Sequence, residues 1–256
     1  MHKPNMKILW FTDLHFRTAA DPEAETMFQR FERSLAHALA HHADADLCIF
    51  TGDIAHSGQA EEYAGFKRAM TGFPLPYRVL MGNHDDRHLL SQMLDLPLSP
   101  RNTLVGSETL GDYRLITLDT HRGDGRDDGH IHAGDLAWLD EELTAGERPA
   151  LIFMHHQPGP VFIPSSDTIG LDNAAALQAL LQRHRHRIAH LFHGHCHLPI
   201  SGSLNGIAYT GLPAIGPQQS PNFASTDFIA DPGAPPCYGV IVADPSSLAC
   251  HLITVR

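Results

Sequence analysis

Seven aspartate, asparagine and histidine residues stand at spacings that suit metal binding. Asp13-x-His15 and His195-x-His197 each place two such residues two positions apart, which is chelate spacing. The full candidate set is Asp13, His15, Asp53, Asn83, His155, His195 and His197. Seven nitrogen and oxygen donors exceed what one ion needs, but two ions fit if Asp53 bridges them. Imidazole mixed with oxygen and lacking thiolate suits Fe, Mn, Zn or Co without selecting among them.

Two such ions predict a hydrolytic reaction at phosphorus. Ions roughly 3.5 to 4 Å apart hold a hydroxide between them, so a metal-bridging hydroxide is the expected nucleophile. His84 is expected to be catalytic as a proton donor facing the leaving group, and Asp85 to orient His84 or its loop. The expected substrate contacts are Asn83, His84 and His56, although an exposed loop position is an equal alternative for His56.

Each candidate metal ligand, or pair of ligands, follows an apolar run that is typical of a buried strand. The predicted strands are 8–12, 47–51, 77–80, 151–154 and 188–192. Ligands of open α/β sheets bind at the carboxyl ends of strands, so we expect the polar residues to meet there. Side chains at positions i and i+2 share one side of an extended backbone, which predicts that His195 and His197 point the same way. Gly82 is expected to permit a sharp turn before Asn83.

The rest of the chain alternates helices with these strands and then changes to strands alone. The predicted helices are 23–42, 59–70, 86–94, 135–143 and 171–184, and 158–170 is expected to be a loop. Asn205-Gly206 predicts a hairpin between strands 200–204 and 207–210, and a second hairpin is expected from 239–243 and 250–255. The long polar loop 121–132 is expected to border the site. The prediction is one domain over 1–256, with 198–236 a hairpin and a lid or oligomerisation insert.

Composition excludes several classes of function. The chain has 256 residues and a formal net charge of -11, which argues against a nucleic acid polymer as partner. Its four cysteines form no CxxC motif, so neither a disulfide framework nor a thiolate zinc site is expected. No apolar run is long enough for a membrane span, and the amino-terminal run is too short for a secretory signal. A cytoplasmic enzyme acting on a small molecule, with no membrane partner, is the resulting expectation.

The ordered motifs resemble the calcineurin-like metallophosphoesterase superfamily. They are Asp13-x-His15, Gly52-Asp53, Gly82-Asn83-His84-Asp85, His155 and Gly194-His195-x-His197. The resemblance implies an α/β fold, a four-layer α/β/β/α sandwich of two mixed sheets with a dinuclear site at its apex. It also implies the division of the ligands. One ion would be held by Asp13, His15, Asp53 and His197, and the other by Asp53, Asn83, His155 and His195.

Finer motifs resemble class III cyclic-nucleotide phosphodiesterases and bacterial glycerophosphodiesterases. They are Thr51-Gly52-Asp53-Ile54, the extension of the Asn83 motif through Asp86-Arg87, and His155-His156-x-Pro158. This likeness implies hydrolysis of a small phosphodiester, either a 3',5'-cyclic nucleotide or a glycerophosphodiester, by a homo-oligomer. Three alternatives stay open: a phosphomonoesterase or phosphoprotein phosphatase, a scaffold of this fold without catalysis, and His156 instead of His155 as the ligand.

Overall fold

The computed structural model describes residues 5–256, and the strands and helices lie close to the predicted positions. The strands are β1 (Met6–Phe11), β2 (Leu47–Phe50), β3 (Tyr77–Val79), β4 (Gly106–Leu110), β5 (Tyr113–Thr117), β6 (Ala150–Met154), β7 (Ile188–His193), β8 (Ile200–Leu204), β9 (Ile207–Gly211), β10 (Gln218–Ser220), β11 (Ile229–Asp231), β12 (Cys237–Asp244) and β13 (Ser247–Thr254). The helices are α1 (Ala24–His42), α2 (Ala60–Ala69), α3 (Arg87–Leu94), α4 (Ala133–Ala145), α5 (Pro164–Asp167) and α6 (Ala174–Arg183). The expectation about the amino-terminal segment falls partly on residues 1–4, outside the described residues.

The first sheet has five strands in the order β13-β12-β1-β2-β3. Strands β1, β2 and β3 run parallel, so their carboxyl ends meet at one edge. The hairpin β12–β13 joins the other side of β1 antiparallel and makes the sheet mixed. The last part of the chain therefore completes the sheet that the first part begins.

The second sheet has six strands in the order β4-β5-β6-β7-β9-β8. Strands β5, β6, β7 and β9 are parallel, and β4 and β8 are antiparallel edges. The predicted Asn205-Gly206 hairpin forms, and β9 adds it to this sheet beside β7. Within the segment 211–236, β10 and β11 pair as a separate two-stranded sheet.

The two sheets pack face to face, with helices on their outer faces. Along β1, Ile8 and Trp10 join Leu151 and Phe153 of the second sheet in a core between the sheets. The alternate residues of β1 pack with α1, α2 and α3, and a third core lies between the second sheet, α4 and α6. This period-two division of apolar side chains produces four layers, α/β/β/α, and confirms the predicted fold class.

Four short elements, β4, α5, β10 and β11, were missed by the sequence analysis. The edge strand β4 is only partly buried and carries Gly, Ser, Glu and Thr, so it lacks the alternation of a half-buried strand. Helix α5 lies in the segment that was expected to be a loop, and β10 and β11 have three residues each. Among the described residues, no helix combines the length and apolar character needed to cross a membrane.

Candidate dinuclear metal site

The candidate ligands lie in turns that follow strands of both sheets. Asp13 and His15 follow β1, and Asp53 follows β2. Asn83 follows β3, His155 directly follows β6, and the two remaining histidines follow β7. The sandwich thus brings together all seven residues that the sequence singled out.

Asp13, His15, Asp53 and His197 form one cluster, in which one donor atom of each residue lies within 4.8 Å of those of the others. His15 Nε2 lies 3.5 Å from Asp53 Oδ2 and 3.2 Å from His197 Nε2. His197 Nε2 lies 3.3 Å from Asp13 Oδ1. Two imidazole nitrogens and two carboxylates therefore face one buried point, which suits a single cation.

A second group shares Asp53 with the first. His155 Nε2 lies 3.5 Å from Asp53 Oδ2 and 3.1 Å from Asn83 Oδ1. His195 presents Nδ1 to the same Asn83 oxygen at 3.0 Å, while its Nε2 is 3.0 Å from the carbonyl of Ile169. Since Asp53 Oδ2 is 3.5 Å from a histidine of each group, its carboxylate stands where a bridging ligand would.

The geometry favours His155 over His156 as a ligand. His155 Nδ1 pairs with the carbonyl of Thr51 at 2.8 Å, which leaves Nε2 directed at the clustered oxygens. Both ring nitrogens of His156 already have partners, the Thr120 hydroxyl at 2.8 Å and the Asp127 carbonyl at 3.0 Å. Neither partner of His156 is a candidate ligand, so metal binding through this ring would break a buried hydrogen bond. The Asn83 oxygen that His155 and His195 share is itself a candidate ligand.

The backbone at the candidate ligands is not extended, contrary to the sequence analysis. Five candidate ligands have a positive φ: Asp13 (53°), His15 (49°), Asp53 (50°), His195 (64°) and His197 (52°). Strand β1 ends at Phe11 and β7 at His193, so strand alternation cannot explain why the side chains converge. Left-handed conformations are uncommon for residues other than glycine, although aspartate and histidine adopt them more often than most, and such residues cluster at functional sites. The side chains converge because the left-handed residues bend the chain sharply in the turns after the strands.

The buried charges of the two groups shift pKa values strongly. Burial opposes the charged form of Asp13, but the charge of His197 outweighs it and lowers the pKa of Asp13 to about 2. Burial also opposes the charged form of His155, yet the carboxylate of Asp53 raises the pKa of His155 to about 9. Burial lowers the pKa of His15 and of His195 well below the usual value. The carboxylates are thus ionised and ready to bind a cation.

A match to the calcineurin-like phosphoesterase family model covers residues 6–199, which includes every candidate ligand. The chain belongs to this family. The family uses a dinuclear metal site. The cluster of Asp13, His15, Asp53 and His197, and the contacts of His155 with Asp53 and of His155 and His195 with Asn83, supply imidazole and oxygen donors of the type such a site needs. The assignment of individual ligands and the identity of the metals stay predictions.

Several curated relatives of this phosphoesterase act on phosphodiesters. A probable cyclic nucleotide phosphodiesterase of Rhodopseudomonas palustris is 28% identical over 258 residues, 96% of this chain and 91% of the relative. The 3',5'-cyclic adenosine monophosphate phosphodiesterase CpdA of Escherichia coli is 28% identical over 90% of this chain and 82% of its own length. The glycerophosphodiester phosphodiesterase GpdQ of Enterobacter lignolyticus is 31% identical over 59% of this chain and 56% of its own length.

Solved structures support the fold of this phosphoesterase. The purple acid phosphatase PPD1 of yellow lupin superposes with a TM-score of 0.68 at 16% identity, over 98% of this chain and 51% of that chain. At that identity the likeness concerns the fold alone. It agrees with the two packed sheets and with the resemblance drawn from the sequence motifs.

His84 and His56 lie together beside the metal site of this phosphoesterase. The ring of His84 lies 4.8 Å from that of His15, and its backbone N–H donates to Asp53 Oδ1 at 3.0 Å. His84 Nδ1 pairs with the carbonyl of His56 at 2.7 Å, and the two rings stack at 5.4 Å. His84 lines both cavities that open beside the site, whereas His56 is absent from the residues that line them.

In the described part of the chain, no hydrogen bond joins Asp85 to the ring of His84, and its carboxylate instead connects two turns. Its carboxylate accepts hydrogen bonds from the backbone N–H groups of Gly82, Ile54 and Ala55 at 3.0 to 3.3 Å, and from the hydroxyl of Tyr63 at 3.2 Å. Burial and then the charge of Asp53 raise the pKa of Asp85, partly offset by these backbone donors. Of the two predicted routes, the structure therefore favours orientation of the loop over orientation of the ring.

Some residues at the site were not singled out by the sequence. Asp127 is 3.4 Å from Asn83 Nδ2, and it lies in the loop 121–132 that was expected to border the site. Gln219 and Phe228 come from the small sheet β10–β11 or its connecting segment and line a cavity beside the metal site. No motif marks them, because they reach the site through tertiary packing of a segment rich in Pro and Ala.

Metal uptake by the metal-free protein is expected to release a proton. His155 carries a proton below pH about 9, and a ligand must be neutral at the nitrogen that binds. The apparent affinity at the second group should therefore rise with pH, by up to about tenfold per pH unit, and level off near the pKa of His155. Mn²⁺ titrations at pH 6.5, 7.5 and 8.5 in weak buffer measure both quantities. An Mn²⁺ affinity that does not change with pH, together with no proton release at pH 7.5, would contradict the raised pKa of His155. His184→Asn is the matched control.

Proposed function

We propose that this protein hydrolyses small phosphodiesters with two metal ions held by the two groups that share Asp53. The observation that carries the proposal is the position of Asp53 between the two groups, since its Oδ2 lies 3.5 Å from both His15 Nε2 and His155 Nε2. When bound, a pair of ions supplies a water of lowered pKa and neutralises charge on the phosphoryl oxygens. Family membership and the activities named for the relatives support the same reaction.

His84 is the proton donor in this proposal. Because Nδ1 is engaged with the His56 carbonyl, Nε2 is the atom left to act on substrate. In its cationic form His84 donates from Nε2 to a phosphoryl oxygen or to the departing alkoxide. The hydrogen bond from its backbone N–H to Asp53 Oδ1 fixes its backbone beside the candidate ligands, and the hydrogen bond between Nδ1 and the His56 carbonyl orients the ring. Asn83 contributes as a ligand and as one wall of the substrate cavity.

Two substrate classes follow from the relatives, 3',5'-cyclic nucleotides and glycerophosphodiesters. A two-ion site addresses only the phosphoryl group, so the surrounding loops must select between them. The same reasoning keeps phosphomonoesters, phosphoproteins and a scaffold role without catalysis as competing proposals. A homo-oligomer is proposed from the family resemblance, with the small diester as the only other partner.

The deciding experiment measures hydrolysis of bis(p-nitrophenyl) phosphate and p-nitrophenyl phosphate by protein loaded with known amounts of Mn²⁺. Faster turnover of the diester supports the proposal, and a preference for the monoester favours a phosphomonoesterase. Absence of turnover with both metals bound favours the scaffold. A screen of cyclic nucleotides, glycerophosphodiesters and phosphonate monoesters then identifies the ester that is cut best.

His84→Ala is expected to lower kcat by roughly 10²- to 10⁴-fold, the usual contribution of a positioned acid. Both metal ions should stay bound, because the side chain of His84 is outside the seven candidate ligands. Metal content by mass spectrometry and kcat on the diester are measured together. His251→Ala on β13, an exposed position, is the control. Wild-type kcat in the His84 variant would contradict the assigned role, and loss of metal would recast His84 as a structural residue.

A further inference from the structure

A cavity of about 310 Å³ opens beside the candidate metal site. One wall consists of candidate metal ligands and His84. The lining also includes Ile169, Gln219, Thr226 and Phe228. The volume lies at the lower end of the range for small-molecule sites, roughly 300 to 1,000 Å³. A group attached to a phosphate at the metal site has this cavity directly beside it.

Phe228 is an aromatic residue exposed at this cavity. It is 55% exposed, one of the few large apolar residues of the described chain that face solvent to this degree. Phe223, five positions earlier, is 72% exposed but is not among the residues that line the cavity. An exposed ring gains stability when a flat partner covers its face. The position of Phe228 on the cavity wall indicates that a ligand is that partner.

The segment that carries Phe228 is fixed to the metal site by hydrogen bonds. Gln219 on β10 donates from Nε2 to the carbonyl of Cys196 at 2.6 Å, the residue between the two histidines of the last motif. Ser220 pairs with Ile229, the neighbour of Phe228. Arg30 holds the preceding backbone through the carbonyls of Ile215 and Gly216 at 2.7 and 2.9 Å. Phe228 is therefore attached to a supported hairpin.

The charge of the cavity disfavours a second anionic group. Among the described residues that line it, none is Lys or Arg. Asp127 contributes a carboxylate, and Thr226 and Gln219 contribute uncharged polar groups. A second phosphate would lie beside Asp127, with no lysine or arginine in the lining to offset the repulsion. A flat, uncharged ring with a few polar edges fits this wall better.

We infer that Phe228 determines substrate specificity by stacking on an uncharged aromatic ring carried by one arm of the diester. The inference rests on the proposed function and narrows it to diesters that carry such a ring, at the expense of purely aliphatic ones. The phosphate would lie at the two metal-binding groups and the ring against Phe228. The segment 211–236 then forms part of the substrate site.

The test compares two substrates that differ only in the ring. Adenosine 3',5'-cyclic monophosphate carries a base, and the 3',5'-cyclic phosphate of methyl riboside lacks it. Phe228→Leu should reduce the ratio of kcat/KM for the first substrate to that for the second by about tenfold, the scale of a base–aromatic stack. The loss should appear as a higher KM for the base-bearing substrate. Phe228→Tyr should retain the wild-type ratio, and Phe223→Leu is the matched exposed-phenylalanine control.

The outcomes separate this inference from the proposed function. A wild-type protein that cleaves diesters but shows no preference for the base-bearing substrate overturns the inference alone. The same holds if Phe228→Leu leaves the ratio unchanged, or if Phe223→Leu lowers it equally. A wild-type protein with two bound metals and no activity on any diester overturns the proposed function itself.

Discussion

Asp53→Ala is expected to remove both metal ions together and to lower kcat/KM on the diester by on the order of 10³-fold. Its Oδ2 is the carboxylate oxygen that lies 3.5 Å from a histidine of each ligand group. Loss of this carboxylate leaves the buried imidazoles of both groups without their shared anion. Metal content after dialysis, measured by mass spectrometry alongside kinetics, checks the prediction.

Asp13→Ala is the matched comparison for this experiment. Asp13 contacts His197 at 3.3 Å and belongs to the first group alone. Its removal should weaken mainly one ion, so metal content should fall toward one equivalent while the second persists. Two ions bound at full strength in the Asp53 variant would contradict the bridge. Equal losses in both variants would show that the two groups behave as a single unit.

The strand ends could be predicted from sequence because each is marked by an abrupt change in polarity. Apolar runs such as 47–51 and 151–154 need burial on both faces, and they end at an aspartate or a histidine. Buried parallel strands must present such residues at a common edge. The position of the site and the membership of the candidate set followed from this reasoning, supported by the ordered motifs.

The local geometry of the site could not be predicted in the same way. The strand period suggested that His195 and His197 point the same way from an extended backbone, yet their φ angles are 64° and 52°, and Asp13 and His15 are likewise left-handed. Aspartate and histidine adopt that region more often than most residues other than glycine, but it is uncommon even for them, so their presence alone does not predict it. The conformation is imposed by contacts distant in sequence, such as the hydrogen bond from Gly216 N–H to the Asp13 carbonyl at 2.8 Å.

The substrate side of the site was also beyond the sequence. Gln219 and Phe228 lie in a segment without periodicity, and the paired strands there have only three residues each. Their importance comes from the fold, since β8–β9 extends the second sheet beside β7 before the chain reaches them. Sequence motifs identify the candidate metal ligands. The residues that line the substrate cavity are brought there by tertiary packing, which no motif in a single sequence indicates.

Gly82→Ala is expected to disrupt the metal site, with a smaller loss of kcat/KM than Asp53→Ala. The sequence suggested that Gly82 serves a sharp turn, but it is not among the glycines with positive φ. Its role is space. A Cβ at this position would lie 2.1 Å from Asp53 Oδ1 and 2.4 Å from Asp53 N, so the proposed bridging residue must move. A displacement of about 1 Å at such a position can cost on the order of 10²-fold in kcat/KM.

Gly233→Ala is the control for Gly82→Ala. The nearest neighbour of a Cβ added at Gly233 would be Asp231 Oδ1 at 3.7 Å, which is an ordinary van der Waals contact. Overpacking at Gly82 should also cost about 1–3 kcal/mol of stability, which thermal unfolding of the metal-free protein measures. A folded Gly82 variant that has lost affinity for both ions is the expected result. Wild-type metal affinity in the Gly82 variant would show that Asp53 can shift and still bind both ions. In that case the close approach of the β2 and β3 turns would not be what fixes the two ions.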